Sequence, residues 1–124
     1  MKLKLKRVYE APSESDGCRI LVDRLWPRGL TKDAAHVDIW LKDAAPSAEL
    51  RKWFNHEPEK WEQFRASYLD ELGRHPECVE PVREQSRKGP VTLVYGARDE
   101  EHNDALVLKE FLQARHSGKA DRHP

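Results

Sequence analysis

The chain has 124 residues, and its 22 basic and 22 acidic side chains cancel, so no net field draws it to a nucleic acid or an anionic membrane. That length suits one domain, read as residues 1–124, with a core of its own and no room for a second. Apolar residues make up 38% against 35% charged, which is lean for a buried sheet, so the four tryptophans are expected to supply much of the core.

Residues 3 to 9 alternate imperfectly and read as an edge strand whose lysines, Lys2, Lys4 and Lys6, form a solvated face that resists edge-to-edge pairing. Ala11 to Gly17 is a turn by its proline, serines and Asp-Gly. A second strand over about 18 to 24 then runs into Trp26-Pro27-Arg28-Gly29. Pro27 donates no hydrogen bond and restricts Trp26, so strand pairing is expected to stop there. Gly29 frees the backbone to turn or to approach a ligand. Residues 32 to 35 suggest one helical turn and residues 37 to 41 a short strand. Ser47 is a good N-cap for a helix over 48 to 54, with Leu50, Trp53 and Phe54 on one buried face.

Pro58 opens the next helix, along which Trp61, Phe64, Tyr68, Leu69 and Leu72 recur at helical spacing, and Gly73 is expected to close it. Trp40, Trp53, Trp61, Phe64 and Tyr68 resemble a base-stacking platform, but the helical spacing of the last three favours core. Residues 76 to 88 predict a polar helix interrupted by Pro81. Val91 to Tyr95 is the most apolar segment and therefore the expected sheet centre. A last helix is predicted from about 100 to 115, burying Ala105, Leu108, Phe111 and Leu112, with a frayed tail from 117 to 124. The fold class that follows is α/β: a small three-layer or two-layer domain with a mainly parallel sheet of about four strands and helices packed on it.

Two stretches share one design. In Ile20 to Gly29 and again in Val91 to Asp99, an apolar run gives way to charges and a glycine. Ligands of α/β sheets sit outside the carboxyl ends of strands, so the two stretches, as neighbouring parallel strands, would frame a crevice. Arg24, Trp26 and Arg28 alternate, and on extended backbone they share a side where a guanidinium stacks on indole and still forks to an anion. The ordinary alternative makes Trp26 core and pairs the arginines with Asp23, Asp99 or Glu100. Arg98 to Asn103 lies at the expected start of the last helix, where free N–H groups favour an anion, although Asp99, Glu100 and Glu101 oppose one. Asp23 and His102 are the candidate acid–base pair across the crevice. Arg24, Trp26, Arg28, Gly29, Tyr95, Gly96, Arg98 and Asn103 are the candidate ligand contacts, Tyr95 and Trp26 serving as walls. His56 reads as a helix-end cap that is able to fold over the same crevice.

Cys18 and Cys78 lie in no CxxC or Cys/His cluster and read as free thiols, so neither a metal nor a disulfide is expected, and no cofactor motif occurs. No run approaches the roughly 18 apolar residues of a membrane span, and Met1 to Lys6 lacks a signal peptide's apolar stretch, which makes a cytoplasmic location the expectation.

The strings Asp16 to Gly29, Leu50 to His56 and Val91 to Asn103 resemble the YeaO-like bacterial family within the domain of unknown function DUF 488. The resemblance covers nearly the whole chain and implies a compact α/β domain without an assigned reaction. Distant members of the wider group carry a cysteine near the end of the last strand and a Cys-His-Arg string at the start of the last helix. Here Tyr95 and His102-Asn103-Asp104 occupy those regions, so thiol chemistry is not implied.

The expected function is binding of a small anionic or nucleotide-like molecule between residues 23 to 29 and 96 to 103, with turnover left open. The alternative is a non-catalytic module that presents Trp26 and the arginines to a protein partner.

Overall fold

A computed structural model describes the backbone of residues 2–121 and the side chains through residue 114. The frayed tail expected at 117–124 therefore lies outside the described side chains. Four strands, β1 (Leu3–Arg7), β2 (Cys18–Leu21), β3 (Ile39–Trp40) and β4 (Val91–Tyr95), form one sheet in the order β1-β4-β2-β3. All three pairings are parallel. The neighbourhood expected for β2 and β4 is present, with Cys18 beside Val91 and Leu21 beside Val94, so both strands end on the same edge. β4 is buried along its whole length and sits inside the sheet, while β1 is an edge strand.

The parallel sheet is covered unequally on its two faces. Val91, Leu93 and Tyr95 of β4, with Ile20 and Val22, point into the main core. There they meet α2 (Ala48–Phe54), α3 (Trp61–Arg74), α4 (Glu80–Lys88) and α5 (Asp104–Asp121). Phe64, Tyr68 and Leu72 recur at four-residue steps on α3 and are all buried, which is the stripe that docks this helix. Each such side chain contributes roughly 1.5–3 kcal/mol by leaving water. Ser47 caps α2 by accepting the Leu50 N–H, and its own N–H and hydroxyl donate to Glu71, tying α2 to α3.

The other face carries a smaller cluster of Val8, Leu21, Ala35 and Val94, closed by Trp26, Leu30 and Val37. Beside it the face turns polar. Buried Arg19 of β2 donates to Asp16 Oδ2 at 2.8 Å and, beyond it, to the carbonyls of Ala35 and His36 at 2.9 and 3.0 Å. Ala35 ends α1 (Lys32–Ala35), so Arg19 fastens α1 under the sheet. Asp16 also accepts from Lys6 at 3.1 Å, and its carbonyl accepts the Thr92 hydroxyl at 2.8 Å. Gly17 turns the chain into β2 at φ 65°, where a Cβ would overlap the Pro90 carbonyl, so no other residue fits.

Several expectations are corrected. The tryptophans do not supply the core: Trp40 and Trp53 are exposed, and Trp26 and Trp61 are only partly buried. Trp53 therefore leaves the buried face of α2, and Lys60 lies over its ring. Phenylalanine, tyrosine and aliphatic side chains fill the centre instead, because an indole N–H buried there would need a partner. Lys6 is not a solvated side chain but half of an ion pair with Asp16. Gly73 does not close α3, which runs to Arg74 with His75 as its cap. Pro81 lies in the first turn of α4 rather than interrupting a helix, since a 3-10 turn over Pro76–Val79 precedes it. α5 begins at Asp104, four residues beyond the expected start at 100, because Asn103 caps it by accepting the Leu106 N–H.

Cys18 and Cys78 are free, and burial raises both thiols above their ordinary pKa, the Asp38 charge adding to the effect at Cys18 and the Glu77 charge at Cys78. Thiol titration of the denatured, unreduced protein is expected to count both. A count below two would show a disulfide or a modification.

Candidate functional site

The chain leaves β2 and β4 in divergent directions, toward β3 on one side and toward α5 on the other. Such a divergence opens a crevice at the carboxyl ends of the two strands. A cavity of about 600 Å³ occupies this place, within the range of small-molecule sites. Its lining comes from the segment after β2 (Asp23 to Arg28), the end of α2 (Arg51, Lys52 and Phe54 to His56), Phe64 of α3 and the segment after β4 (Gly96, Ala97 and His102 to Asp104). A second hollow of about 330 Å³ adjoins it and shares Phe54, His56, Ala97 and His102.

The segment after β2 is held by its backbone and free at its charges. Trp40 Nε1 donates to the Asp23 carbonyl at 2.8 Å, Trp26 Nε1 to the Leu30 carbonyl at 2.7 Å, and the Tyr9 hydroxyl to the Arg28 carbonyl at 2.9 Å. Arg24 and Arg28 are exposed, line the crevice, and form no ion pair among the described residues. The alternative in which these arginines are spent on Asp23, Asp99 or Glu100 is thus not what the structure has. Nor does either guanidinium stack on Trp26, whose ring meets Trp40 edge-on at 5.4 Å between centroids. The chain bends through residues 24 to 29 instead of staying extended, which removes the alternation that stacking requires.

Asp23 Oδ2 accepts the Gly96 N–H at 2.8 Å, a bond that ties the two strand ends together. A Cβ at Gly96 would come within 3.1 Å of that oxygen. Burial raises the Asp23 pKa, offset in part by the Gly96 N–H and the Arg51 charge. Asp104, the first residue of α5, lines the same crevice, and its carboxyl is pushed up to about 7 by burial and then by the Asp23 charge, with Arg51 opposing. Arg51 acts on both carboxyls, while its own Nε–H is buried without a hydrogen-bond partner. Asn55 and His56 adopt left-handed backbone, φ 48° and 55°, which turns the end of α2 into the crevice wall. Two consecutive non-glycine residues in this region store strain of about 1 kcal/mol or more each.

His102 has a partner other than the expected one. Its Nδ1 lies 2.8 Å from Asp99 Oδ2, and its ring packs edge-on against Trp61 at 5.2 Å. The His102 hydrogen bond, followed by the Glu101 N–H, holds the Asp99 carboxyl below the usual carboxylate range. Asp23 and His102 line one crevice, but no hydrogen bond joins them. Of the other expected contacts, Arg24, Trp26, Arg28, Gly96 and Asn103 line the crevice, and Arg98 lines the adjoining hollow. Tyr95 does not form a wall: it is buried in the main core, because β4 is covered on both faces. Gly29 is exposed in a turn at φ 77° and is not among the residues that line the crevice. Asn103 is spent on capping α5 and on the Asp99 carbonyl, to which its amide donates at 2.9 Å. Arg51, Lys52, Asn55 and Asp104 belong to the lining without having been singled out in the sequence. Arg51 and Asn55 carried one available signal, since they lie a turn apart at the end of the helix that Ser47 opens.

The model of the Inactive DUF488-N3 subclade matches residues 2–124. The chain belongs to this family. It is similar to the Uncharacterized protein YeaO of Escherichia coli, 44% identical over 114 residues that cover 92% of this chain and 99% of that one. Uncharacterized proteins of Mycobacterium bovis and Mycobacterium tuberculosis are 40% identical over 114 residues, 92% of this chain and 96% of each of theirs. No solved structure matches the chain significantly. The family agrees with the resemblance carried by the three strings. No described helix is long and apolar enough to cross a membrane, and no described group of His, Cys, Asp and Glu is placed to hold a metal ion.

Proposed function

We propose that this cytoplasmic protein binds a small anionic ligand in the crevice at the carboxyl ends of β2 and β4 and does not turn it over. The observation that carries the reading is the pair Arg24 and Arg28, cations held on a pinned backbone at the crevice and left without ion partners among the described residues. Two further observations support binding over catalysis. The family is described as inactive, and His102 is held by Asp99 and Trp61 away from Asp23.

The test is a melting screen of inorganic phosphate, nucleotides and small carboxylates against the wild type and Arg28→Ala. A ligand at a hundredfold excess over Kd stabilises the native state by about 2.7 kcal/mol, which such a screen detects. Arg28→Ala is expected to melt within a degree or two of the wild type when unliganded, because the exposed side chain makes no ion pair, and to lose the ligand shift. If no anion raises the wild-type melting temperature, the reading fails. If the substitution alone costs about 3 kcal/mol, Arg28 is structural.

One observation favours the second reading, a docking module for a protein partner: Leu25 is 69% exposed beside the arginines. Trp26 fits that reading poorly, since its indole N–H is already bonded to Leu30.

A further inference from the structure

The crevice has two chemically opposite parts. Arg24 and Arg28 are exposed at its outside, whereas Asp23 and Asp104 are partly buried, both acted on by the Arg51 charge. A bare anion satisfies only the first part and is repelled by the second. Each carboxyl group has about four acceptor positions. Among the described residues, Asp23 uses one on the Gly96 N–H, and Asp104 takes no hydrogen bond from another residue. Both aspartates line a cavity that Arg51 lines as well, its Nε–H buried without an acceptor and its charge facing both carboxyls. An ammonium group on the ligand would find the carboxyls already countered by Arg51. A neutral group that both donates and accepts suits all three side chains, and a hydroxyl is such a group.

Resting on the reading of the crevice as an anion site, we infer that its ligand class is the sugar phosphate, whose phosphate meets Arg24 and Arg28 and whose hydroxyls donate to Asp23 and Asp104 while accepting from Arg51. Free sugar phosphates and the sugar-phosphate part of a nucleotide share this chemistry. The cavity of about 600 Å³ has room for either.

Calorimetric titration of the intact protein with inorganic phosphate, ribose 5-phosphate, 2-deoxyribose 5-phosphate and adenosine 5′-monophosphate separates the possibilities. Ribose 5-phosphate is expected to bind about tenfold tighter than inorganic phosphate, the effect of one hydrogen bond to a charged group. Removing the 2-hydroxyl should give back part of that gain. A tighter monophosphate nucleotide assigns the nucleotide as the source, and an equal or weaker one assigns the free sugar phosphate. In Asp104→Ala the sugar's advantage should shrink while phosphate binding persists. Asp104→Leu, nearly isosteric and unable to accept, serves if the alanine variant folds poorly. Equal affinity of the wild type for phosphate and ribose 5-phosphate overturns the inference and leaves anion binding standing. An advantage that survives both Asp104 variants undiminished also overturns it. Binding of none of the four overturns the anion reading itself.

Discussion

Replacing Arg19 by methionine is expected to cost about 3–5 kcal/mol of folding stability, measured by urea denaturation at neutral pH, because it strands a buried carboxylate. Arg19 is 3% exposed and Asp16 4%, so neither charge has water to fall back on. The guanidinium is shared among Asp16, the Ala35 carbonyl and the His36 carbonyl, and its loss orphans both carbonyls and leaves Asp16 only Lys6 and the Ser13 N–H. Lys6 would remain on Asp16, but it is an edge-strand side chain at 3.1 Å and answers only the carboxylate. Burial alone would raise the Asp16 pKa. Lys6, the Ser13 N–H and Arg19 together outweigh it and leave the value lowered. A lowered carboxyl stabilises the fold above its unfolded pKa of about 3.9, and that contribution is lost as the pH falls through the folded value. The wild type should therefore lose stability below about pH 4 more steeply than Arg19→Met does. A loss under about 1 kcal/mol would mean that the pair behaves as a surface salt bridge and that α1 is anchored by Leu21, Ala35 and Val94 alone.

This buried ion pair also shows where sequence reasoning stops. The apolar runs at Ile20 to Val22 and Val91 to Tyr95, each followed by charges, were enough to read two neighbouring parallel strands and a crevice at their ends, since a strand covered on both faces has to be apolar throughout. The same continuity hides which side chains point where. Tyr95 ends the apolar run, and nothing local tells whether it faces the core or the crevice. Arg19 directly precedes such a run and reads as an exposed charge until the sheet places it beside Asp16. Tryptophan is ambiguous for a different reason: its area argues for burial and its N–H for a polar partner, and here Trp26 and Trp40 spend that N–H on loop carbonyls. Arg24, Arg28 and Asp23 were legible because proline and glycine mark the turn that carries them. Arg51 and Asp104 were not, for they lie on different helices, 53 positions apart, and only the packing of α2 and α5 about the strand ends brings both to one cavity. The late start of α5 compounds this. With the helix expected from 100, Asp104 falls in its interior, whereas the Asn103 cap makes it the first residue, beside Asp23.

Asp104→Asn is expected to stabilise the protein at pH 8 and to do so less and less as the pH falls. The Asp104 carboxyl has its pKa raised to about 7 in the folded protein, by burial first and the Asp23 charge second. Unfolded, it titrates near 3.9. Between these values the native state holds a proton that the unfolded chain has released, so wild-type stability declines as the pH rises through this window, and the full penalty applies above about 7. Three units of displacement set a ceiling of about 4 kcal/mol. The residue is partly open to the crevice, and the first turn of a helix favours a negative charge by roughly 0.3–1 kcal/mol, so the expected gain is on the order of 1–3 kcal/mol. Asparagine keeps the shape and cannot ionise. Urea denaturation of both proteins at pH 4.5, 6, 7 and 8 should show the difference near zero at the lowest pH and largest at the highest. A pH-independent gain would assign the effect to packing rather than ionisation, and a loss at pH 8 would mean that the ionised carboxylate is held by a partner such as Arg51. Because Asp23 supplies part of the displacement, Asp23→Asn should lower the pH at which the decline levels off, and Arg51→Met, which removes the opposing charge, should raise it. The three variants together test whether Asp23, Asp104 and Arg51 act as one coupled charge system in the crevice.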